Sequence, residues 1–468
     1  MIALLFRSDA VRRQCCDVAH MRDVWGPEVA RCISRRLQQL EAMSTLDDLA
    51  FLPFDSHHNA DGCIRVMITP DLALAIEPVP EATERDNHAQ HHRHPRPRHV
   101  QGSAAVMSAP VARLGYEPAE LVHPGETLAE WLDRHDMTQV QFARRASLTP
   151  KHINQVLKGS VGISPEVALA FERVTSVPAR FWTQLDANYQ TAKQQIIEEK
   201  TLKEHVHLVD KFPVKALGRL GHLELRQSKV EQLKELLRFF GVADTHALEE
   251  VWLKPALYRR SQVFQADEAS LAAWLRLAEL HAVKIPTKPF DPGRCRSAIP
   301  EIRALSRTPG VGWVRPLQDI CASVGIALVV LKELPKCRVN GATHWPSPDK
   351  AIIVLSLRHR RNDIFWFTLF HEMCHVLRHS KKETFVDLKG SGIDKKLEVE
   401  ADTFASRTLI PPQVADELRH LTTASRVEQF AEAIGVAPGI VVGRMQHDGL
   451  IPNNQWTNLI NRYRFSDE

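Results

Sequence analysis

Along most of the chain, apolar residues recur every three or four positions, the period of a helix with one buried face. Over residues 10–43 this predicts two helices joined by a turn at Trp25-Gly26-Pro27, with Ile33, Leu37 and Leu40 inward. Arg31, Arg35, Arg36 and Gln39 fall on the opposite, polar face. Strand-like runs follow from Ile64 to Val79, and two helices on a small antiparallel sheet make a compact α+β unit. Between 123 and 186 short helical blocks alternate with turn signals. Glu126 to His135 turns Leu128, Trp131 and Leu132 inward; Gln139 to Ala146, capped by Thr138, is expected to bury Val140, Phe142 and Ala143. A third helix, capped by Thr149 and ended by Gly159, carries Ile153, Val156 and Leu157 inward, and Ser164 caps a fourth. From Ala187 to Leu280 the pattern stays helical, as in KVEQLKELLRFF, and strand-like runs return at 325–331 and 350–357.

One segment breaks this order. From Pro80 to Ser103 the chain reads PEATERDNHAQHHRHPRPRHVQGS, almost without large apolar residues, so it cannot bury a core and is expected to be a mobile linker. Its His88, His91, His92, His94 and His99 fit adventitious metal uptake. A Pro-rich stretch, Ile285 to Gly293, marks a softer boundary. The expected fold class is α+β multidomain: an α+β module at 1–80, the linker at 81–104, an all-α domain at 105–186, a helical connector at 187–295 and an α+β domain at 296–468.

Composition narrows the class. With 44% apolar and 25% charged residues, fibrous and wholly disordered chains are excluded. No stretch approaches the ~18 consecutive apolar residues of a membrane helix. The opening MIALLFRSDAVRR lacks the charge order and cleavage site of a secretory leader, so the expected setting is cytoplasmic, with no membrane partner. Eight Cys without a CxxC pair predict reduced, structural thiols. A net charge of +4 allows a nucleic-acid partner without arguing for one.

Two short helices joined by a three- to four-residue turn form a helix-turn-helix unit. The outward face of its second helix carries Lys151, His152, Asn154, Gln155 and Lys158, all able to donate to base edges or phosphates. Thr149 at its cap joins these candidate DNA contacts, as does Gln139, whose place at a helix N-terminus suits a phosphate oxygen. HPGETLAEWL, the core TQVQFARRASLTPKHINQVLKG and the closing VPARFW resemble the HigA-type antitoxins of the Xre family. The resemblance implies a homodimer that binds double-stranded operator DNA.

The first 80 residues are similar to toxins of the HigB/RelE type, on WGPEVARCISRRLQQLEAMSTLDDLAFLP, a following His and Gly, and strands ending IEP. That resemblance implies a ribosome-dependent mRNA interferase working through basic and His side chains, here Arg65, His57 and His58. Ala73 stands where such toxins carry an Arg, which removes the cation expected at the phosphate. A retained scaffold without strong nuclease activity is the expectation. Toxin-like before antitoxin-like segment mirrors the usual HigB–HigA gene order, as in a fused pair.

Residues 370–379 read FHEMCHVLRH. His371 and His375, one helical turn apart, can grip one Zn²⁺, and Glu372 beside them can act as general base. Asp363 is expected to N-cap this helix, Cys374 to pack in the core and His379 to reach solvent. The third ligand is sought in LEVEADTFASRTLIPP, where Glu398 and Asp402 are four apart. Glu398 is the expected ligand, with Glu400 the alternative, and Asp402 is expected to fix the tautomer of a ligand His. His344 and Arg378 are candidates for stabilising an oxyanion. KAIIVLSL, the HExxH helix and E-x-E-A-D-x-F-A-x-x-x-L-I-P together resemble the ImmA/IrrE family of metallopeptidases, over about residues 300–450. The resemblance implies a gluzincin-like zinc endopeptidase acting on repressors, with Val436, Ile440 and Val441 as packing residues.

The expected whole is a transcriptional regulator of toxin–antitoxin type fused to a zinc-dependent endopeptidase that cuts a repressor or itself. Two rival expectations stand beside it. One is a non-enzymatic HigA-like repressor with a structural or sensory zinc domain. The other is an mRNA interferase controlled by its attached antitoxin module.

Overall fold

The computed structural model describes residues 5–6, 9–58, 64–69, 72–76, 114–115, 120–254, 267–379 and 393–465. The expected linker at 81–104 and the His57 and His58 side chains lie outside the described residues. The chain divides into two compact units, Met1–Lys200 and Thr201–Glu468. Among the described residues, no helix is long and apolar enough to cross a membrane.

In the first unit, a two-residue strand β1 (Leu5–Phe6) precedes three helices, not two: α1 (Asp9–Cys16), α2 (Val18–Trp25) and α3 (Pro27–Ala42). Asp17 makes the extra break. Its side chain accepts from the His20 N–H at 3.1 Å and caps α2, a local choice that apolar periodicity does not report. Strands β2 (Ser56–His58), β3 (Ile64–Thr69) and β4 (Leu72–Ile76) form an antiparallel sheet in that order. A short strand β5 (Leu114–Gly115) pairs with β1. Then come α4 (Pro124–Arg134), α5 (Gln139–Arg145), α6 (Pro150–Leu157) and α7 (Pro165–Thr175). Helix α8 runs from Ala179 to Glu204.

The polar face of α3 is covered around Arg36 and Gln39, while Arg31 stays exposed. Arg36 is 5% and Gln39 0% exposed. Arg36 pairs with Glu130 of α4, Arg31 pairs with Glu126 and, at 2.7 Å, with Glu120, and Gln39 donates to Thr127 at 3.0 Å. On α3 the spacing of 31, 35 and 39 makes one stripe; on α4 Glu126 and Glu130 make its acidic complement. Beneath them Leu40, Met43, Phe54, Ile64 and Val66 share one core with Leu128, Trp131, Phe142, Phe171 and Trp182. The N-terminal α+β module and the helical domain therefore fold around a common interior.

In the second unit, the sheet order is β6–β8–β7, with β6 (Ile326–Leu331) parallel and β7 (Gly341–Ser347) antiparallel to the central β8 (Lys350–Ser356). Strand β7 is absent from the apolar pattern because it presents polar and apolar residues in no clean alternation. Both faces of the sheet are covered. On one, Ala327, Val329, Ile352 and Val354 pack with α10 (Lys229–Phe240) and α12 (Glu268–Val283), introduced after α9 (Val214–Arg219) and α11 (Thr245–Leu248). The segment expected as a connector is thus a layer of this unit. On the other face, α13 (Pro292–Ala304), α14 (Val314–Ser323) and α15 (Asn362–Arg378) meet Leu328, Ile353 and Leu355. Helices α16 (Ile393–Leu409), α17 (Ala424–Ile434) and α18 (Pro438–His447) complete that core, and Val436, Ile440 and Val441 are buried in it. Asp363 does not cap α15. The cap position is Arg361, which makes two hydrogen bonds to Asp363 at 3.0 and 2.8 Å.

Asp48 generates a test of the first unit. Its carboxylate accepts from the Ser44 and Thr45 N–H groups at 2.8 and 3.2 Å and pairs with Arg180 of α8. Burial alone would raise its pKa, but these donors outweigh burial and hold it below the usual carboxylate value. A depressed folded pKa contributes stability above the unfolded value of ~3.9 and loses it as pH falls through the folded one. Asp48→Asn is expected to lower neutral-pH stability by about 1–3 kcal/mol and to flatten the acid limb below about pH 4. Denaturant unfolding of the full chain at several pH values measures both.

Candidate functional site

Helix α15 is sided by its sequence. Phe365, Trp366, Leu369, Phe370 and Met373 enter the core, which fixes the rotation of the remaining positions. His371 and His375 then face α16, with their Nε2 atoms 3.1 Å apart. Glu398 meets both, at 3.1 Å from His371 Nε2 and 3.5 Å from His375 Nε2. One ligand atom from each of the three lies within 4.8 Å of the others, so the group can hold a metal ion. The near approach of the helices is allowed by Ala401 and Ala405 of α16, both 0% exposed.

Electrostatics fit a cation there. Burial works against charge on His371, but hydrogen bonds to Asp402 and Glu398 and the Glu372 charge win, pushing its pKa up to about 10. Burial would raise Glu398, yet its His371 hydrogen bond and the two imidazoles hold its carboxyl below the usual range. Nitrogen and oxygen donors around a pull for positive charge are the chemistry of a metal-ion site.

Asp402 accepts from Nδ1 of His371 at 2.9 Å, as its spacing from Glu398 suggests. Glu400 does not join the group. It pairs with Arg378 at 2.7 Å and lies 3.7 Å from His379 Nε2, because i+2 residues leave a helix on different sides. His379 turns inward, against expectation: its side chain is 7% exposed and its Nδ1 lies 2.7 Å from Nδ1 of His375.

Glu372 is 7% exposed and leans toward strand β7, where Thr343 Oγ1 donates to its Oε2 at 2.7 Å. A Cβ on Gly341 would come within 3.0 Å of Glu372 Oε1, so the glycine leaves the carboxylate its room. Neither oxyanion candidate is at hand. His344 follows Thr343 on the strand, so it leaves by the opposite face and meets Glu279 of α12 at 2.7 Å. Arg378 is engaged by Glu400 and lies over Phe404, 5.1 Å from the ring centre. Sequence reading missed Thr343 because β7 was not recognised, and it missed His379's inward turn. The i, i+4, i+8 spacing of His371, His375 and His379 was the available signal.

The helical domain of the first unit is built on caps. His123 Nδ1 accepts from the Gly125 N–H at 2.9 Å, and Pro124 opens α4. Thr138 and Gln141 form a capping box on α5, and Thr149 accepts from the His152 N–H at 3.1 Å. Helices α5 and α6 and the turn between them make the helix-turn-helix. Lys151, Lys158, Gln139 and Thr149 are exposed, while His152, Asn154 and Gln155 are half-buried. Asn154 donates to Gln139 at 3.4 Å, linking the two helices. Val140 is 47% exposed, not buried, because it lies ~200° around α5 from Phe142. Arg144 and Arg145, exposed at the end of α5, add basic charge that sequence reading left out. The closing VPARFW is core: Val177, Phe181 and Trp182 are at most 1% exposed, and Phe171 meets Trp182 edge-on at 5.4 Å.

The first unit carries a helix-turn-helix domain, and the second is an α+β domain with a two-His, one-carboxylate group. Residues 128–182 match the helix-turn-helix family, and residues 328–445 match the peptidase family defined by an IrrE N-terminal-like domain. The chain therefore joins a DNA-binding helix-turn-helix domain to an IrrE-like metallopeptidase domain. No curated protein and no solved structure matches it. Neither family match reaches the residues before 128, so the toxin likeness of the N-terminal module has no match behind it.

Gly125 tests the frame of the DNA-binding unit. A Cβ there would lie 2.2 Å from the Val156 carbonyl oxygen and 2.8 Å from Leu157 Cα, both backbone atoms of α6 that cannot swing aside. Gly125→Ala is expected to destabilise the first unit by about 1–3 kcal/mol, the cost of overpacking. Thermal melting should show a drop of several degrees.

Proposed function

We propose that the chain is a DNA-binding transcriptional regulator carrying its own zinc-dependent endopeptidase, with a repressor or the chain itself as substrate. The observation that carries this is the convergence of His371, His375 and Glu398 beside a buried, oriented Glu372, in a chain that also holds a helix-turn-helix. Zinc held by those three residues would supply a Lewis acid for a substrate carbonyl and a water of lowered pKa. Glu372 takes the proton of the attacking water at its carboxylate and returns it to the leaving amine. Thr343 keeps that carboxylate oriented, and Asp402 holds the proton of His371 on Nδ1 so that Nε2 keeps its lone pair.

On the DNA side, Lys151, Lys158, Arg144 and Arg145 are assigned to phosphates, with Gln139 and Thr149 at helix N-termini. Gln155, Asn154 and His152 are assigned to base edges. A homodimer on a palindromic operator is the arrangement such a domain uses. The N-terminal module is assigned a scaffold role rather than RNA cleavage. Its α3 arginines are committed to Glu120, Glu126 and Glu130, and Ala73 stands at the place of the missing cation. Tethering a peptidase to its DNA-binding unit raises effective concentration to ~mM, which favours cleavage of the chain itself or of its dimer mate.

Wild type and Glu372→Gln expressed under DNA damage, oxidative and heat stress should differ: cleaved proteins found by mass spectrometry are expected with wild type alone. Identical fragment patterns in the two would refute the peptidase, and identical operator release as well would favour the sensory or structural zinc domain. For DNA, Lys151→Ala with Gln155→Ala is expected to cut the preference for the operator over random duplex at least tenfold, given ~1–3 kcal/mol per base contact. Titrations at matched salt read this, and unchanged discrimination would mean that α6 does not read the bases.

A further inference from the structure

His375 makes one more contact than peptide cleavage has so far required of it. Its Nδ1 lies 2.7 Å from Nδ1 of His379, one turn further along α15. Beyond His379 stands Glu400, 3.7 Å from its Nε2, and Glu400 accepts from Arg378 at 2.7 Å.

Two imidazole nitrogens at that separation share one proton: one ring donates and the other accepts. A nitrogen that binds a metal does so through its lone pair, so the ring proton sits on the other nitrogen. With His375 Nε2 turned to His371 and Glu398, the His375 proton is on Nδ1. His379 Nδ1 is then the acceptor, and the His379 proton is on Nε2, facing Glu400. The result is a one-way chain from His375 to His379, with the Glu400 carboxylate, held by Arg378, near Nε2 at 3.7 Å as a charge contact rather than a hydrogen bond. His371 has the shorter equivalent, Nδ1 to Asp402.

We propose that His379 is a positioning residue for the metal centre, setting the tautomer and ring orientation of His375, with Glu400 and Arg378 as its anchor. The inference rests on the reading of His371, His375 and Glu398 as the ligands. It also gives a role to the second cluster of donor atoms, Cys374, His379 and Glu400, which lie within 4.8 Å of one another. Arg378 already supplies the positive charge that Glu400 needs, and His379 is committed to His375. That cluster is the support of the first site, not a second one.

The test uses the full chain and two metals. Zinc affinity is measured by competition with a chromogenic chelator, and Co²⁺ in place of zinc reports ligand geometry through its visible spectrum. His379→Ala is expected to weaken zinc binding ~10–100-fold and to change the cobalt spectrum. His379→Asn, whose carboxamide oxygen can replace Nδ1 as acceptor, is expected to recover most of both. Wild-type affinity and spectrum in His379→Ala would overturn the proposal, provided His371→Ala with His375→Ala abolishes binding. An Asn variant as weak as the Ala variant would overturn it too, since lost packing rather than a lost acceptor would then be the cause. Nitrogen-15 NMR of the zinc-loaded wild type needs no variant to fold. It should find His379 neutral with its proton on Nε2, and a proton on Nδ1 overturns the chain. If the wild type takes up no zinc at all, the ligand reading itself falls, which is a different result from any of these.

Discussion

Everything at the metal-ready group depends on the close approach of two helices. Imidazoles one turn apart on α15 meet a carboxylate of α16 only if the axes pass at the ~8–10 Å of well-packed helices. Ala401 and Ala405 permit that approach by presenting almost no side chain. The rotation of α15 is equally constrained, since one residue of slip is ~100° and would carry His371 away from Glu398. Phe365, Trp366, Leu369, Phe370 and Met373 prevent the slip by filling the core, and Trp366 adds a hydrogen bond to the Tyr463 hydroxyl at 2.9 Å. Asp363 is held from the other side, where Gly443 leaves so little space that a Cβ would lie 2.1 Å from Asp363 Oδ2.

The same rigidity lets one helix serve three surroundings. Its core face binds the sheet, its His face meets α16, and Glu372 leans on the edge strand β7 through Thr343. Parity along β7 decides the rest. Thr343 and Trp345 belong to one face and His344 to the other, where Glu279 takes it up. Burial would raise the Glu279 carboxyl, but His344 and Arg276 hold it below the usual range. Alternation along β7 therefore separates a residue that orients a carboxylate from its neighbour, which ties the sheet to α12.

The first unit rests on a different device. Surface ion pairs add little, but Arg36 is nearly wholly buried, and removing Glu130 would leave its charge with only neutral partners, Gln39 and the Met67 carbonyl. Glu130 and Arg36, like Asp48 and Arg180, join segments far apart in sequence. Hydrophobic burial brings α3 and α4 together, and the buried charges fix how they align.

Local chemistry was legible from residues alone. The caps at Thr138, Thr149 and Ser164, the sidedness of α4 and α6, and the spacing of His371, His375, Glu398 and Asp402 all depend on neighbours within about four positions. The strands around 326 and 350 announced themselves by continuous apolar runs, because both faces of β6 and β8 are covered. Strand β7 did not, and with it went Thr343 and the facing of His344. The sequence marked Arg31, Arg35, Arg36 and Gln39 as a polar stripe but could not say that Glu126 and Glu130 would cover it. It placed His379 one turn beyond His375 and expected it in solvent, and could not say that Glu400 and Arg378 would stand beside it. Periodicity tells which side of an element is polar. Whether that side meets water or a complementary charge is decided by a surface a hundred residues away, and only the tertiary structure brings that surface into place.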